Sequence, residues 1–232
     1  MILAAGLGTR LKPWTDRHPK ALAVVNGKSL LQRNVEYLRQ FGITDIIVNV
    51  HHFAEQIKNA IAENKGWGSN ISISDESDEV LETGGGLKKA FWYFKESDAS
   101  FVLMNADILT DLDLSAMMHE HKKHQALATL AVTERTTSRY LLFNENNLLC
   151  GWMNDKTGET KGQPGTKKAF SGIHIIDSKI FSLISEEGKF SMIDLYLRLC
   201  NVHAIQAYDH SNGLLQDVGK PESIAEAEKI FC

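Results

Sequence analysis

The sequence predicts an α/β protein in which a mostly parallel sheet is flanked by helices within a single domain. Short apolar runs alternate with amphipathic stretches through the first half of the chain, which is typical of β-α-β units. A glycine loop follows the first apolar run directly. The chain has 232 residues, of which 43% are hydrophobic, so one α/β domain with a large core is the expected organisation.

In the first half, strands are expected at residues 1–4, 45–49, 71–74 and 101–105, and helices at 29–41, 54–63 and 86–94. The helix at 29–41 carries the clearest signals. Ser29 is a suitable N-cap, Leu31, Val35 and Leu38 recur at helical spacing, and Gly42 follows the end. The glycine run at 83–86 is expected to lead into the helix that begins at residue 86.

The second half is less regular. It predicts a helix at 114–124, a strand at 127–132, a hairpin from 140 to 152 and a strand at 169–175. Helices near 179–184 and 192–199, strands at 202–207 and 214–218 and a closing helix at 221–231 complete the prediction, with Pro221 in the first helical turn. The polar segment 155–165 contains glycine and is expected to be a flexible loop.

Composition excludes several functional classes. The formal net charge of −4 provides no broad positive field for nucleic acid. Three cysteines without a C-x-x-C spacing indicate neither a disulfide framework nor a thiolate metal site. No apolar run approaches the roughly 20 residues that cross a bilayer, and the N-terminus lacks a signal peptide, so we expect a cytoplasmic protein without membrane contact.

The first loop has the composition of a phosphate-binding turn. It reads Leu3-Ala4-Ala5-Gly6-Leu7-Gly8-Thr9-Arg10-Leu11, in which backbone N–H groups and one guanidinium are available to an anion. A dinucleotide fingerprint fails because it requires glycine where Leu11 stands. A P-loop ending at Gly27-Lys28-Ser29 fails because its first glycine would replace Leu22.

A longer pattern remains, L-A-A-G-x-G-T-R-L-x-P-x-T followed by P-K-A-L and V-N-G-K-S-L-L, which spans residues 3–31. It resembles the signature of the sugar-1-phosphate nucleotidyltransferases, also called nucleotide-sugar pyrophosphorylases. Further matches are L-E-T-G-G-G at 81–86, N-A-D at 105–107, F-S-G-I at 170–173 and D-V-G-K-P-E at 217–222. Within the family, the combination looks most like N-acetylmuramate 1-phosphate uridylyltransferase.

The resemblance implies a Rossmann-like, GT-A-like fold of the nucleotide-diphospho-sugar transferases. It implies a nucleotide-binding half at 1–110 and a sugar-binding half at 111–232. The expected reaction joins a sugar 1-phosphate to a nucleoside triphosphate and releases pyrophosphate, with UTP and N-acetylmuramate 1-phosphate as the favoured pair. Guanylyl transfer to mannose or heptose 1-phosphate, and a catalytically silent subunit that senses nucleotide sugars, remain alternatives. The protein is expected to be a monomer or a small homo-oligomer.

The resemblance also implies the catalytic residues. Asp107 and Asp217 would hold Mg²⁺, a hard cation that takes carboxylates together with phosphate oxygens. Arg10 would hold the β- and γ-phosphates, and Lys20 would neutralise charge at the reacting phosphates. The attacking phosphate is already ionised near neutral pH, so no general base is expected.

The resemblance also implies which other residues would contact the nucleotide and the sugar. The nucleotide set is Leu3, Ala4, Ala5, Gly6, Gly8, Thr9, Arg10, Glu82, Thr83, Gly84, Gly85 and Asn105. The sugar set is Ser171, Gly172 and Ser191. For Ser191, an ordinary N-cap of the helix that follows is an equally good interpretation. Histidines at 119–124 lack the H-E-x-x-H spacing of a zinc site and are expected on a solvated helix.

Overall fold

Parallel strands from the first half of the chain form one side of a ten-stranded sheet. The computed structural model describes residues 1–231. The strands, in chain order, are β1 (Ile2–Leu3), β2 (Val24–Val25), β3 (Lys28–Ser29), β4 (Asp45–Val50), β5 (Asn70–Asp75), β6 (Phe101–Asn105), β7 (Ile108–Thr110), β8 (Ala128–Thr133), β9 (Arg139–Phe143), β10 (Leu149–Asn154), β11 (Thr160–Gly162), β12 (Thr166–Ile176), β13 (Ile205–Asp209) and β14 (Leu215–Asp217). Strands β6, β1, β4 and β5 lie side by side in that order and are parallel. This side of the sheet confirms the predicted β-α-β organisation.

The other side of the sheet is mainly antiparallel and centres on the long strand β12. Strand β12 pairs antiparallel with β6, β8 and β9, and so joins the two sides. The predicted hairpin is formed by β9 and β10, while β13 extends the sheet parallel to β8. The sheet is therefore mixed, and the predicted fold class is confirmed. Outside it, β14 pairs antiparallel with β7, and β2 with β3.

Helices cover both faces of the sheet. They are α1 (Leu30–Gln40), α2 (Ala54–Glu63), α3 (Glu82–Lys89), α4 (Phe91–Phe94), α5 (Leu114–His124), α6 (Ile180–Leu183), α7 (Met192–Leu199) and α8 (Pro221–Ile230). Alternate residues of β4 enter different cores, with Ile46 and Val48 on one face and Ile47 on the other, because successive strand side chains point to opposite sides. No helix in the described part of the chain is long and apolar enough to span a membrane.

Helix α1 has the start and stop that its sequence predicts. The Ser29 hydroxyl accepts a hydrogen bond from the Gln32 N–H at 3.1 Å, which satisfies one of the free amides of the first turn. Leu31, Val35 and Leu38 are buried on one face. Gly42 follows the helix with a φ of 74°, a left-handed conformation that glycine adopts without strain.

The prediction that the glycine run leads into a helix starting at residue 86 is wrong. Helix α3 begins at Glu82 and contains all three glycines, and a separate short helix, α4, follows it. An added Cβ at Gly84 would lie 2.4 Å from the Phe190 ring, and one at Gly85 would lie 2.4 Å from the Gly188 carbonyl oxygen. Gly84 and Gly85 are therefore needed because the segment 188–190 packs directly on the helix backbone, and not because the chain turns there. A Cβ at Gly86 would instead lie 2.8 Å from Asn49 Nδ2 and from Glu76 Oε1.

The prediction of a flexible loop at 155–165 is also wrong in part. Residues Thr160–Gly162 form β11, which pairs with β10 at the edge of the sheet. Gly162 has a φ of 78°, and a Cβ there would lie 2.4 Å from the Cys150 carbonyl oxygen. All three residues of this strand are exposed and none has a large apolar side chain. The strand therefore has no hydrophobic periodicity from which it could be predicted.

A buried histidine links β12 to α7. The Nδ1 atom of His174 lies 2.8 Å from the Tyr196 hydroxyl, and both residues are buried. Burial lowers the pKa of His174 from 6.5 to about 3, because the imidazolium would lose its hydration. Burial also lowers the pKa values of His121 and His210. The folded protein therefore keeps His174 neutral at pH values where the unfolded chain protonates it.

This difference predicts that the protein becomes less stable in mild acid. Below pH 6.5 the unfolded state binds a proton at His174 that the folded state does not bind until about pH 3. The free energy of unfolding should fall across this window by up to about 1.4 kcal/mol per pH unit for this residue. Urea unfolding at pH 7.0 and 5.0 measures the effect, and the loss should be smaller in His174→Gln. Exposed His119→Gln is the control, and an equal loss in both variants would contradict the assignment.

Candidate active site

The carboxyl ends of neighbouring parallel strands open onto a cavity of about 440 Å³. Leu3 of β1, Asn49 of β4 and Asn105 of β6 all line it. This is the edge at which open α/β sheets bind ligands. The lining contains the following predicted site residues: Leu3, Ala4, Ala5, Gly6, Lys20, Glu82, Thr83, Asn105, Asp107 and Ser191. We refer to it below as the first cavity.

A buried amide and a buried carboxyl group support the floor of the first cavity. The Ala4 N–H donates to Asn49 Oδ1 at 2.7 Å, and Asn49 Nδ2 donates to Glu76 Oε1 at 2.8 Å. The second oxygen of Glu76 is buried and has no hydrogen-bond partner within residues 1–231. Burial raises the pKa of Glu76. No sequence motif marks Asn49 or Glu76 as a site residue, although an asparagine inside an apolar strand indicates a buried polar contact.

The glycine loop turns sharply at Gly8. Its φ of 61° is left-handed, and a Cβ there would lie 2.9 Å from Thr15 Cγ2 and 3.0 Å from Lys20 Cβ. The Thr15 hydroxyl donates to the Gly8 carbonyl oxygen at 2.9 Å. Thr9 and Arg10 follow in a single helical turn, Thr9–Leu11. Close packing at Gly8 therefore brings Lys20 back to the mouth of the loop.

Lys20 and Asp107 form an ion pair inside the first cavity. The Lys20 ammonium group contacts Asp107 Oδ2 directly. The side chains are 13% and 23% exposed, so solvent reaches the pair only in part. The predicted phosphate-neutralising lysine and one predicted metal ligand are thus direct neighbours.

Asp217 is brought to the same place by strand pairing. In the β7–β14 ladder Asp217 lies opposite Ile108, and the Val218 N–H donates to the Asp107 carbonyl oxygen at 2.9 Å. Asp217 Oδ1 is buried and has no hydrogen-bond partner in the described part of the chain. The two predicted metal ligands therefore lie on adjacent backbone segments, although only Asp107 lines the first cavity.

These two carboxylates fit Mg²⁺ better than a metal that needs a complete protein cage. The described residues contain no group of three or more His, Cys, Asp or Glu side chains able to hold a metal. Magnesium usually takes one or two carboxylates and completes its shell with phosphate oxygens and water. The unpartnered oxygen of Asp217 is an available ligand of the required type.

Arg10 lies beside Asp217 and outside the lining of the first cavity. Both side chains border Gly219, since a Cβ there would lie 2.8 Å from Asp217 Oδ1 and 2.9 Å from Arg10 Nη2. Leu11, the next residue, is buried in a small apolar cluster with Leu109 and Val218. This cluster anchors the loop that carries Arg10 against the strands that carry the aspartates.

Helix α3 contributes Glu82 and Thr83 to the first cavity, but not the predicted glycines. The Gly84 and Gly85 N–H groups both donate to the Phe190 carbonyl oxygen, at 2.9 and 3.2 Å. Their amides are therefore occupied by the protein itself. Contact of these two glycines with a nucleotide stays a prediction.

The three predicted sugar residues have different environments. Ser191 lines the first cavity and also caps α7, because its hydroxyl accepts the Asp194 N–H at 3.1 Å. Ser171 is buried and its hydroxyl lies 2.8 Å from His210 Nε2. Gly172 has a φ of 75°, and a Cβ there would lie 2.8 Å from Asn105 Nδ2. Ser171 and Gly172 thus lie behind the cavity wall, and their contact with a sugar stays a prediction.

Residues 1–231 match the protein family described as Nucleotidyl transferase. The chain belongs to this nucleotidyl transferase family. N-acetylmuramate alpha-1-phosphate uridylyltransferase of Neisseria meningitidis serogroup B is 30% identical over 99% of this chain and 96% of its own. UTP--glucose-1-phosphate uridylyltransferase of Synechocystis is 30% identical over 83% of this chain, which spans only 52% of that relative. The resemblance inferred from the motifs is confirmed.

Solved structures agree with this nucleotidyl transferase assignment. The crystal structure of HddC from Yersinia pseudotuberculosis complexed with GMP-PN superimposes with a TM-score of 0.80. The sequences are 26% identical, and the match covers 100% of this chain and 98% of HddC. The protein is accordingly an enzyme of the sugar-1-phosphate nucleotidyltransferase type, as the sequence predicted.

A second cavity of about 450 Å³ adjoins the first in this nucleotidyl transferase. Glu82, Arg139 and Ser191 line both cavities and form the wall between them. Arg139 begins β9, and sequence analysis missed it because nothing in the local pattern distinguishes it from a surface arginine.

Gly219 provides a test of the position of the Arg10 guanidinium. Gly219→Ala should displace the Arg10 guanidinium, because the new methyl group would lie under 3.0 Å from both side chains. We expect pyrophosphate release by this nucleotidyl transferase to fall by about tenfold or more, with little change in melting temperature. The double variant Arg10→Ala/Gly219→Ala is the control. If Arg10 is the group displaced, adding Gly219→Ala to Arg10→Ala has little further effect. Full additivity of the two losses would contradict this explanation.

Proposed function

We propose that this enzyme transfers a uridylyl group from UTP to N-acetylmuramate 1-phosphate, giving the UDP-sugar and pyrophosphate. The observation that carries the proposal is the Lys20–Asp107 ion pair at the carboxyl edge of the sheet, with Asp217 on the adjacent strand. Substrate choice draws on the similarity to the Neisseria uridylyltransferase along nearly the whole of both chains. The reaction brings two polyanions together, so charge neutralisation and positioning supply most of the acceleration.

The proposed chemistry is an in-line displacement. A phosphate oxygen of the sugar 1-phosphate attacks the α-phosphorus of UTP, and the bond from that phosphorus to the bridging oxygen of pyrophosphate breaks. Lys20 neutralises charge on the reacting phosphates, and Arg10 holds the β- and γ-phosphates as they leave. The attacking oxygen already carries its negative charge, so no residue has to remove a proton.

Asp107 and Asp217 would hold Mg²⁺, and the unpartnered Oδ1 of Asp217 supports this role. When bound, the ion would supply positive charge to the phosphate oxygens. The backbone of Ala4, Ala5 and Gly6 would lie against the nucleoside, since these small residues line the first cavity and leave its floor open. Asn49 would keep that backbone in position through its bond to the Ala4 N–H.

Guanylyl transfer to mannose or heptose 1-phosphate is a second candidate. It is favoured by the similarity to HddC, whose crystal structure contains GMP-PN. A catalytically silent sensing subunit is disfavoured, because Arg10, Lys20, Asp107 and Asp217 are all present and close together.

Pyrophosphate release distinguishes the first two candidates. The enzyme is assayed with UTP, GTP, CTP or dTTP, each with N-acetylmuramate 1-phosphate or mannose 1-phosphate, in the presence of Mg²⁺. We expect the highest kcat/KM with UTP and the muramate sugar. Activity with GTP alone would overturn the uridylyl proposal, and no turnover with any pair would support a sensing role.

Asp107→Asn tests the proposed metal site. The substitution keeps the shape of the side chain but removes the negative charge, so turnover should fall by at least about a hundredfold. The melting temperature is measured on the same samples, because Asp107→Asn leaves the Lys20 charge without its carboxylate partner and loss of folding has to be separated from loss of chemistry. Asp98→Asn, at an exposed carboxylate before β6, is the charge-matched control. Normal turnover in Asp107→Asn would remove this residue from the mechanism.

A further inference from the structure

The second cavity lies where the sugar part of an acceptor would extend. If the proposed function holds, the phosphate end of the sugar 1-phosphate reaches Lys20 and Asp107 in the first cavity. The remainder of the sugar must then pass the shared wall of Glu82, Arg139 and Ser191. The second cavity is the space directly beyond that wall, and its volume of about 450 Å³ is within the range of small-molecule sites.

The floor of the second cavity suits a pyranose ring. Trp152, Tyr140 and Phe170 line it together with aliphatic side chains. Aromatic rings present flat apolar surface against which the C–H face of a sugar can pack. Lys161 Nζ lies 5.5 Å from the centroid of the Trp152 ring, and Lys167 Nζ lies 5.5 Å from that of the Tyr140 ring, so a cation covers one face of each of these two rings.

Positively charged side chains outnumber negatively charged ones in the lining of the second cavity. Lys161 is paired with Asp194 at 3.0 Å, and Glu82 is paired with Lys189 at 3.5 Å. The guanidinium of Arg135 donates to the Phe170 carbonyl oxygen at 3.0 Å. Both acidic side chains of the lining are therefore already engaged by lysines.

Arg139 differs from these cations because its guanidinium has no hydrogen bond or ion pair within residues 1–231. Its backbone is fixed in the hairpin, where it lies opposite Asn154 of β10. The side chain borders both cavities, so it is available to a ligand that occupies them together. A guanidinium has the planar fork that binds a carboxylate through two parallel hydrogen bonds.

We propose that Arg139 binds an anionic substituent on the sugar, so that the enzyme selects acidic over neutral sugar 1-phosphates. This inference rests on the proposed function for the position of the sugar phosphate. It goes further in assigning one specificity-determining residue and the chemistry that this residue recognises. A neutral acceptor leaves the Arg139 charge without a partner, whereas a carboxylate on the ring compensates it.

The test compares two acceptors that share the ring and the N-acetyl group. N-acetylmuramate 1-phosphate carries a lactyl carboxylate, and N-acetylglucosamine 1-phosphate has a hydroxyl at that position. For the unaltered enzyme with UTP, we expect kcat/KM to be at least about tenfold higher for the acidic acceptor. In Arg139→Gln this ratio should fall by about tenfold or more, with the change mainly in the KM of the acidic acceptor. Arg139→Lys should restore part of the ratio, because it restores the charge without the fork.

Lys156→Gln is the matched control. It removes one positive charge from the exposed turn between β10 and β11, outside the lining of both cavities. The acceptor ratio in this variant should equal that of the unaltered enzyme. An equal fall in Lys156→Gln and Arg139→Gln would show a general charge effect and would overturn the role of Arg139.

Calorimetric titration with each sugar 1-phosphate separates this inference from the proposed function. If the enzyme turns over the acidic acceptor and Arg139→Gln does not change the ratio of kcat/KM between the two acceptors, the inference is wrong but the proposed function is still supported. If no acceptor is turned over, the proposed function is wrong. The inference is still supported if the unaltered protein binds the acidic sugar more tightly than the neutral one and Arg139→Gln abolishes this difference. Equal binding of both sugars by the unaltered protein would overturn it.

Discussion

The pairing of β14 with β7 is the constraint on which the site depends. Asp107 and Asp217 are far apart in the chain, and they meet only because this short ladder and the Val218–Asp107 backbone bond fix their register. This register sets the face on which the Asp217 side chain lies, because successive side chains of a strand alternate between faces and a slip of one residue would turn Asp217 to the opposite one. The apolar cluster of Leu11, Leu109 and Val218 supports the ladder and holds the Arg10 loop against it.

The site has the charge distribution of a polyanion-binding surface. Lys20 is compensated by Asp107, while the guanidinium of Arg10 lies near Asp217 and Gly219. In the proposed reaction, phosphate oxygens of a triphosphate would take the place of these internal partners, so the positive groups would stay compensated in both states. Partial burial strengthens these interactions, because the low local dielectric screens them less than bulk water does.

Sequence analysis predicted the parts of the fold that have strong local signals. Helix α1, with its serine cap and following glycine, was predictable, and so were the parallel strands that precede each loop of the site. Strand β11 was not, because an exposed edge strand has no hydrophobic alternation to detect. The glycines of α3 were misinterpreted because their cause is distant. Gly84 and Gly85 accommodate the segment 188–190, and Gly86 accommodates Asn49 and Glu76, which no local pattern can reveal.

Residues of the site that depend on distant contacts were likewise not predictable from local sequence patterns. The motifs indicated Lys20, Asp107 and the Ala4–Gly6 backbone, which the structure brings to one cavity. They could not indicate Asn49, Glu76 or Arg139, whose importance comes from what the fold places beside them. Ser171 was singled out by a motif, yet its hydroxyl is buried against His210, which is a tertiary contact.

The close contact between α3 and the segment 188–190 also has a mechanical consequence. The Gly84 and Gly85 N–H groups both donate to the Phe190 carbonyl oxygen, and the Phe190 ring and the Gly188 carbonyl oxygen lie against the two bare α-carbons. This close packing leaves little room for one segment to slide past the other. Glu82 and Thr83 precede these glycines, Ser191 follows Phe190, and all three line the first cavity, so the contact fixes their relative positions in its wall.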